Sequence, residues 1–317
     1  MNLPLEIATT SFWIISAPFY VVVIAVLIAY RRDADLSSSF FALSVSLGFA
    51  DLFEVTSQIL LQRFPKRGWF VEEIYLKYST GLLPVFCDQF VWYGVMVQYI
   101  GISLLTLNRF TAIVMPTRND LIWTNRNLKL AIALQWGIPA AIYGPIPFIA
   151  TGTYLRPTVG TGCGNNVTAL VGSEVVCWMN EEKIRSTYIS LHLPANTITL
   201  AFNSIAYVII IASLVAHKFR NTAVKKNSLG WNNFAVEIKL TIAALIMFLI
   251  LFGTMSLTLI VLFDICNAGF YFEIFYSLMD LFALCNPYLL VAFSTPLREH
   301  LLALLRRREK HAYLEVS

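Results

Sequence analysis

Four acids and a set of neutral polar side chains lie inside stretches that are otherwise apolar. Their spacings put them on single helix faces. Asp51, Glu54 and Gln58 fall at i, i+3 and i+7, and Gln89, Tyr93 and Met96 at i, i+4 and i+7. His192, Asn196, Thr199 and Asn203 fall at i, i+4, i+7 and i+11, and Glu273, Tyr276 and Asp280 at i, i+3 and i+7. Side chains of these types can hold a charge or trade hydrogen bonds. They form no bond-making constellation. The sequence has no His-Glu-x-x-His or His-x-x-Glu-His pair, no Gly-x-Ser-x-Gly elbow, no Gly-rich phosphate loop and no Cys-x-x-Cys knuckle. The expectation is a binding protein, with no catalytic residue, metal or cofactor.

The elements that must carry these stripes are membrane spans. A hydrocarbon core roughly 30 Å thick takes about 20 apolar helical residues to cross. Lipid offers the backbone no hydrogen bonds, so each crossing must be helical. The sequence predicts seven: 10–30, 39–62, 85–114, 130–150, 188–215, 238–262 and 271–295. With 57% of residues hydrophobic and 13% charged, a soluble globule is excluded. The spans use most of the 317 residues, which predicts one all-α bundle over 1–317 and no separate soluble domain. The run 12–30 is too long for a cleaved signal peptide and lacks a basic flank, so it reads as a retained first span.

Orientation follows from lysine and arginine. The connections on the C-terminal side carry 15 of them and those on the other side seven, counting Arg63, Lys66 and Arg67 in the first outer loop. The C-terminus is therefore predicted inside and the N-terminus outside. The one Asn-x-Ser/Thr acceptor, Asn166, falls in a loop placed outside, which suits a glycosylated chain at the plasma membrane. The basic runs lie close to the membrane and are too short to argue for nucleic acid. They read as contacts to headgroups of the lipid bilayer or to a cytoplasmic partner.

An acid within hydrocarbon is costly and normally faces the bundle interior. The four stripes are expected to converge on a shared interior. Thr199, Asn203 and Ser103 read as hydrogen bonds between helices. His192 reads either as a ligand contact or as a histidine at the wet interface.

The ends of the spans carry further punctuation. Asn108-Arg109-Phe110 closes span three, with Pro116 beyond it, and Asn286-Pro287 lies in span seven. After Pro296, residues 297–308 form a short amphipathic helix with a basic end. Together with Asp51 in span two, this set resembles the rhodopsin-like G-protein-coupled receptors over the whole chain. Asn108-Arg109-Phe110 looks like that family's Asp-Arg-Tyr triplet, and Asn286-Pro287 like the start of its Asn-Pro-x-x-Tyr motif. There are departures. Asn108 replaces the acid, Leu290 stands where the final tyrosine belongs, and span six has no proline. These departures are similar to the nematode serpentine chemoreceptors of the Srg superfamily, class V among them.

The resemblance implies a chemosensory receptor of the plasma membrane, with a sensory cilium as one location, that binds a small molecule and signals through a heterotrimeric G protein. The expected ligand contacts are Gln89, Tyr93, Met96, His192, Asn196, Thr258 and Tyr276. Asp51, Asp280, Asn286 and Pro287 would link spans two and seven. Arg109 would pair with Glu237 at rest and be released on activation, with Asn108 and Phe110 beside it. The resemblance also implies a bridge from Cys87 to the second outer loop, where Cys177 is nearer span five than Cys163; a Cys163–Cys177 bridge is the rival. A homo- or heterodimer is left open. The other classes are a secondary transporter, which normally shows repeats and broken helices, and a ligand-gated channel, which predicts an inside N-terminus.

Overall fold

The computed structural model describes residues 3–33, 35–155, 175–180, 182–222, 228–263 and 268–316. Asn166 lies outside them, as do the side chains of Glu237, Thr258, Glu273 and Tyr276. The long helices are α1 (Leu3–Ala29), α2 (Ser39–Ser57), α3 (Leu82–Val114), α4 (Asn125–Tyr143), α5 (Glu182–Thr222), α6 (Ser228–Phe263), α7 (Ala268–Phe293) and α8 (Thr295–Val316). The chain is an all-α membrane bundle, and the predicted spans map onto α1 to α7 in order. Five helices are long and apolar enough to cross a membrane among the described residues, or six when Ser277–Phe293 and its bent continuation are taken together. α4 carries Arg126, Lys129 and Gln135, and it ends at Tyr143 rather than at residue 150.

α3 runs through the middle and touches α2, α4, α5 and α6, while α7 packs on α1, α2 and α6. The core that joins them is apolar, with Leu43, Leu47, Ile102, Leu251 and Phe282 fully buried. The large apolar side chains left exposed on α1 (Ile14, Ile15, Val21) and α5 (Ile198, Ile205, Val208) stand where lipid would be. Polar groups lie inside and apolar ones outside, the arrangement a hydrocarbon solvent imposes.

Glycine sets two of the helix contacts. A Cβ on Gly48 of α2 would lie 2.9 Å from Ile24 and 3.0 Å from the Tyr20 ring. A Cβ on Gly94 of α3 would lie 3.0 Å from Glu54. Bare backbone at these points lets α1 and α3 close on α2, as small residues do between helices in lipid.

The outer end of α2 departs from the sequence expectation. The helix widens into a π-helical segment, Gln58–Arg63, before a short turn at Phe64–Lys66. In an unbroken α-helix, nine residues make about two and a half turns, so Arg63 would face away from Glu54. The wider i→i+5 turns rotate it back toward the bundle. A three-stranded antiparallel sheet, absent from the sequence expectation, covers part of the outer end. Its strands are β1 (Thr80–Gly81), β2 (Gly152–Leu155) and β3 (Val176–Met179), in that order. A disulfide joins Cys177 of β3 to Cys87 of α3. Beneath the sheet, Tyr75 packs edge-on against Tyr154 at 5.2 Å and donates to the Leu60 carbonyl. Burial pushes the Tyr75 phenol up to about 12, so it stays a donor at physiological pH.

At the inner end, Pro116–Ile122 forms a seven-residue helix after α3. α8 leaves α7 at a bend of 95°. Ser294 accepts from the Leu297 amide at 3.4 Å and Leu297 is fully buried, so the turn is capped and anchored. His300 stacks on Tyr30 at 4.2 Å and lies 3.3 Å from the Asp33 carboxylate, which fastens α8 to the end of α1.

Candidate functional site

The deepest polar cluster is built on Asp51. Its carboxylate accepts from Tyr20 of α1 (2.6 Å), Gln98 of α3 (2.8 Å) and Asn286 of α7 (3.5 Å). Asn286 also donates to the Tyr20 hydroxyl at 2.7 Å. All four side chains are buried. Pro287 follows directly within α7; it lacks an N–H and so weakens the helix at the residue that reaches across. Four helices are thus tied through one carboxylate, and each of its oxygens has a donor.

Asp280 does not join this cluster, contrary to the expected link of Asp51, Asp280 and Asn286. It lies six residues before Asn286 on α7, about 9 Å along the axis, too far to share the same partners. Asp280 instead pairs with Arg63 at 2.6 Å. Arg63 is therefore not a loop cation: its side chain is only 11% exposed. Glu54 lies close enough to feel both Asp280 and Arg63, and Gln58 donates to it.

The expected convergence on one interior is also corrected. Gln89 donates to the Tyr143 carbonyl, and Tyr93 lies 3.5 Å from the Trp136 carbonyl, so both turn toward α4. His192 of α5 sits against Trp92 (ring centroids 4.5 Å) and Tyr99 (5.8 Å), with its Nδ1 3.4 Å from the Tyr143 hydroxyl. Asn196, one turn along, is buried, and Met96 belongs to the adjoining apolar core. Asn203 reaches Ser103 of α3 at 3.2 Å, a bond between helices. The polar groups thus form an α1–α2–α3–α7 seam and a separate, buried aromatic cluster among α3, α4 and α5.

On the inner face Arg109 is buried. It donates to its neighbour Asn108 at 2.7 Å and its guanidinium lies 4.3 Å from the Phe40 ring centre. Asn108 in turn donates to Ser39 at the start of α2 (2.8 Å). The neutral amide does structurally what an acid would do electrostatically: it orients the guanidinium, while the ring face of Phe40 attracts the cation. Phe110 packs on the other side with Tyr207 and Phe248 of α5 and α6. Thr111 accepts from Trp123 at 2.8 Å and donates to Asn119, so the connection after α3 is tied to the same turn.

The sequence matches, over residues 10–307, the family described as serpentine type 7TM GPCR chemoreceptor Srv. The chain belongs to the Srv family. It is 24% identical over 143 residues to the "Serpentine receptor class V-1" of Caenorhabditis elegans, and the aligned part is 45% of either chain. The chain therefore matches about half the length of that curated relative. The description is that of the Srv class itself rather than of the Srg superfamily.

Within this Srv chain, several residues that the sequence did not single out complete the clusters. Tyr20 and Gln98 hold Asp51, Arg63 holds Asp280, Phe40 underlies Arg109, and Trp92, Tyr99 and Tyr143 surround His192. Only Gln98 carried a signal, as a lone amide in an apolar run. The aromatic and apolar ones are indistinguishable from packing residues until their neighbours are known.

Proposed function

We propose that this Srv protein is a plasma-membrane chemosensory receptor that acts as one unit, with its N-terminus outside and a heterotrimeric G protein inside. A small, partly apolar molecule binds in the outer half, at the cluster of Trp92, Tyr99, Tyr143, His192 and Asn196, which adjoins Gln89 and Met96. Tyr93, Thr258 and Tyr276 are further candidate contacts. The ligand favours the active bundle only by binding it more tightly than the resting one. The seam of Asp51, Tyr20, Gln98 and Asn286 carries the change to the inner end. There Arg109 leaves Asn108 and Phe40, and a G-protein element enters beside Phe110, with release from Glu237 as part of the same step.

The observation that supports this reading most directly is Arg109, a guanidinium buried at the inner end of the central helix beside Asn108 and the Phe40 ring. A buried guanidinium at this end of the bundle is placed to meet a new partner once the inner face opens. The test is a heterologous second-messenger assay of the full chain against a panel of small odorants and secreted metabolites. Arg109→Ala is expected to abolish the response at normal surface expression. Undiminished signalling from that variant rejects the mechanism. Glycosylation of Asn166 checks the orientation independently, because only an outside loop is modified.

A further inference from the structure

Two carboxylates and one guanidinium share the buried space between the outer halves of α2 and α7. Glu54 is fully buried, Asp280 is 1% exposed, and Arg63 reaches Asp280 from the π-helical turn, close enough for Glu54 to feel its charge. One of the two acids is answered by Arg63. The other has only the amide of Gln58, itself buried. Three acceptors remain without a hydrogen bond among the described residues: Glu54 Oε2, Gln58 Oε1 and Asp280 Oδ1. Buried acceptors normally have donors, and a buried charge normally has a partner of opposite sign. The Asp51 carboxylate, one turn deeper, has a donor on each oxygen, so the two neighbouring acids differ in this respect. Gly94 of α3 faces Glu54 without a side chain, so bare backbone forms the third wall.

We propose that this α2–α7 site binds a small organic cation, a protonated alkyl- or arylalkylamine, with Arg63 as the resident cation that the ligand displaces from Asp280. The ammonium group supplies two or three N–H donors, which the open acceptors of Glu54, Gln58 and Asp280 lack, and a positive charge that takes the place of the one Arg63 withdraws from Asp280. Three metal-ligating side chains do not converge here among the described residues, so a bare metal ion is the poorer fit. Arg67, close enough to influence Asp280 and bonded to Thr10 at 2.9 Å, adds positive charge at the outer rim, so an entering cation competes with it as well as with Arg63. Displacing Arg63 uncouples the outer turn of α2 from α7, the helix that carries Asn286. Amine binding therefore bears on the same seam as the proposed signalling, from a second site separate from the aromatic cluster of α3, α4 and α5, and its signalling consequence rests on that reading.

The test uses the full chain purified into nanodiscs and measures thermal stability against butylamine, phenethylamine and tetramethylammonium, with 1-butanol and 2-phenylethanol as neutral partners. A ligand that binds the folded state alone raises the melting temperature with its concentration. The two primary amines are expected to stabilise and the alcohols not to. Glu54→Gln should weaken the amine effect by about tenfold or more in concentration. Arg63→Met, which removes the competitor, should strengthen it by a similar factor, a gain that misfolding cannot imitate. Equal stabilisation by amine and alcohol, or an amine effect indifferent to both substitutions, overturns the site. Responses to alcohols in the second-messenger assay without amine binding would leave the receptor reading standing and overturn this one. Amine stabilisation that Glu54→Gln abolishes, in a chain that signals to nothing, would do the reverse.

Discussion

Two acids one helical turn apart on α2 are treated oppositely by the fold. Asp51 receives donors from α1, α3 and α7, and its oxygens are all engaged. Glu54 faces a second acid across the helix gap, has one amide donor, and keeps an oxygen unanswered. Both are fully buried, so exposure does not separate them. Satisfaction does. A completed buried network fixes helix positions and gains from its low-dielectric surroundings. An incomplete one costs free energy in every molecule and is retained where something else is to complete it. Asp51 is the joint of the bundle, and Glu54 is its open hand.

The comparison can be broken by mutation, and the largest effect is expected at Asp51. Asp51→Ala strands the donors of Tyr20, Gln98 and Asn286, each costing about 1–3 kcal/mol when left unpaired in the interior. The variant should lose most of its folded population, measured as surface expression and as melting temperature in detergent. Glu54→Gln should cost little or raise stability, because it removes one of two like charges and keeps the shape. If the two substitutions destabilised equally, the contrast drawn between the acids would be wrong.

Next in size is the outer bridge. Cys87→Ser frees the connection that carries β2 and β3, a closure of 90 residues in sequence. Native disulfides of this kind contribute about 2–5 kcal/mol. The melting temperature should fall, and treatment with reductant should bring the parent chain to the same value. An unchanged melting temperature under reductant would exclude the bridge.

Gly48→Ala tests how Tyr20 reaches Asp51. The added methyl meets Ile24 and the Tyr20 ring at about van der Waals overlap, and overpacking costs about 1–3 kcal/mol. Combining it with Tyr20→Phe should give less than the sum of the two losses, because both act on one contact. Strict additivity would show that Gly48 matters elsewhere. The smallest effect is expected at Asn203→Ala, which removes one bond to Ser103. Such bonds average about 0.6 kcal/mol in membranes, a shift at the limit of a careful melting measurement.

Much of the architecture was legible from residue order. Apolar length located each of the seven helices, although their ends depart from the expected bounds by up to ten residues, as at the start of α6. Asp51 and Asn286 were rightly expected to meet. Asp280 was not separable from them by periodicity, because a stripe along one helix says nothing of its height against the next. Arg63 was placed in a loop because the apolar run was ended at residue 62, and the π-helical segment that turns it inward leaves no mark on composition. Gln89 and Tyr93 were expected at a central cavity, yet α4 offered them carbonyls first. The aromatic partners of His192 were invisible because tryptophan and tyrosine serve packing and recognition alike.

Residue order alone determined that this chain lives in a bilayer and where its costly polar atoms sit along each helix. Those are one-dimensional properties: the transfer of a segment into lipid depends on its own composition. Which acid is answered and which is left open was decided only by the tertiary structure. It depends on the heights and rotations at which helices meet, and those are set by contacts between residues far apart in the chain, by two glycines that let backbones close, and by one widened turn that swings an arginine inward.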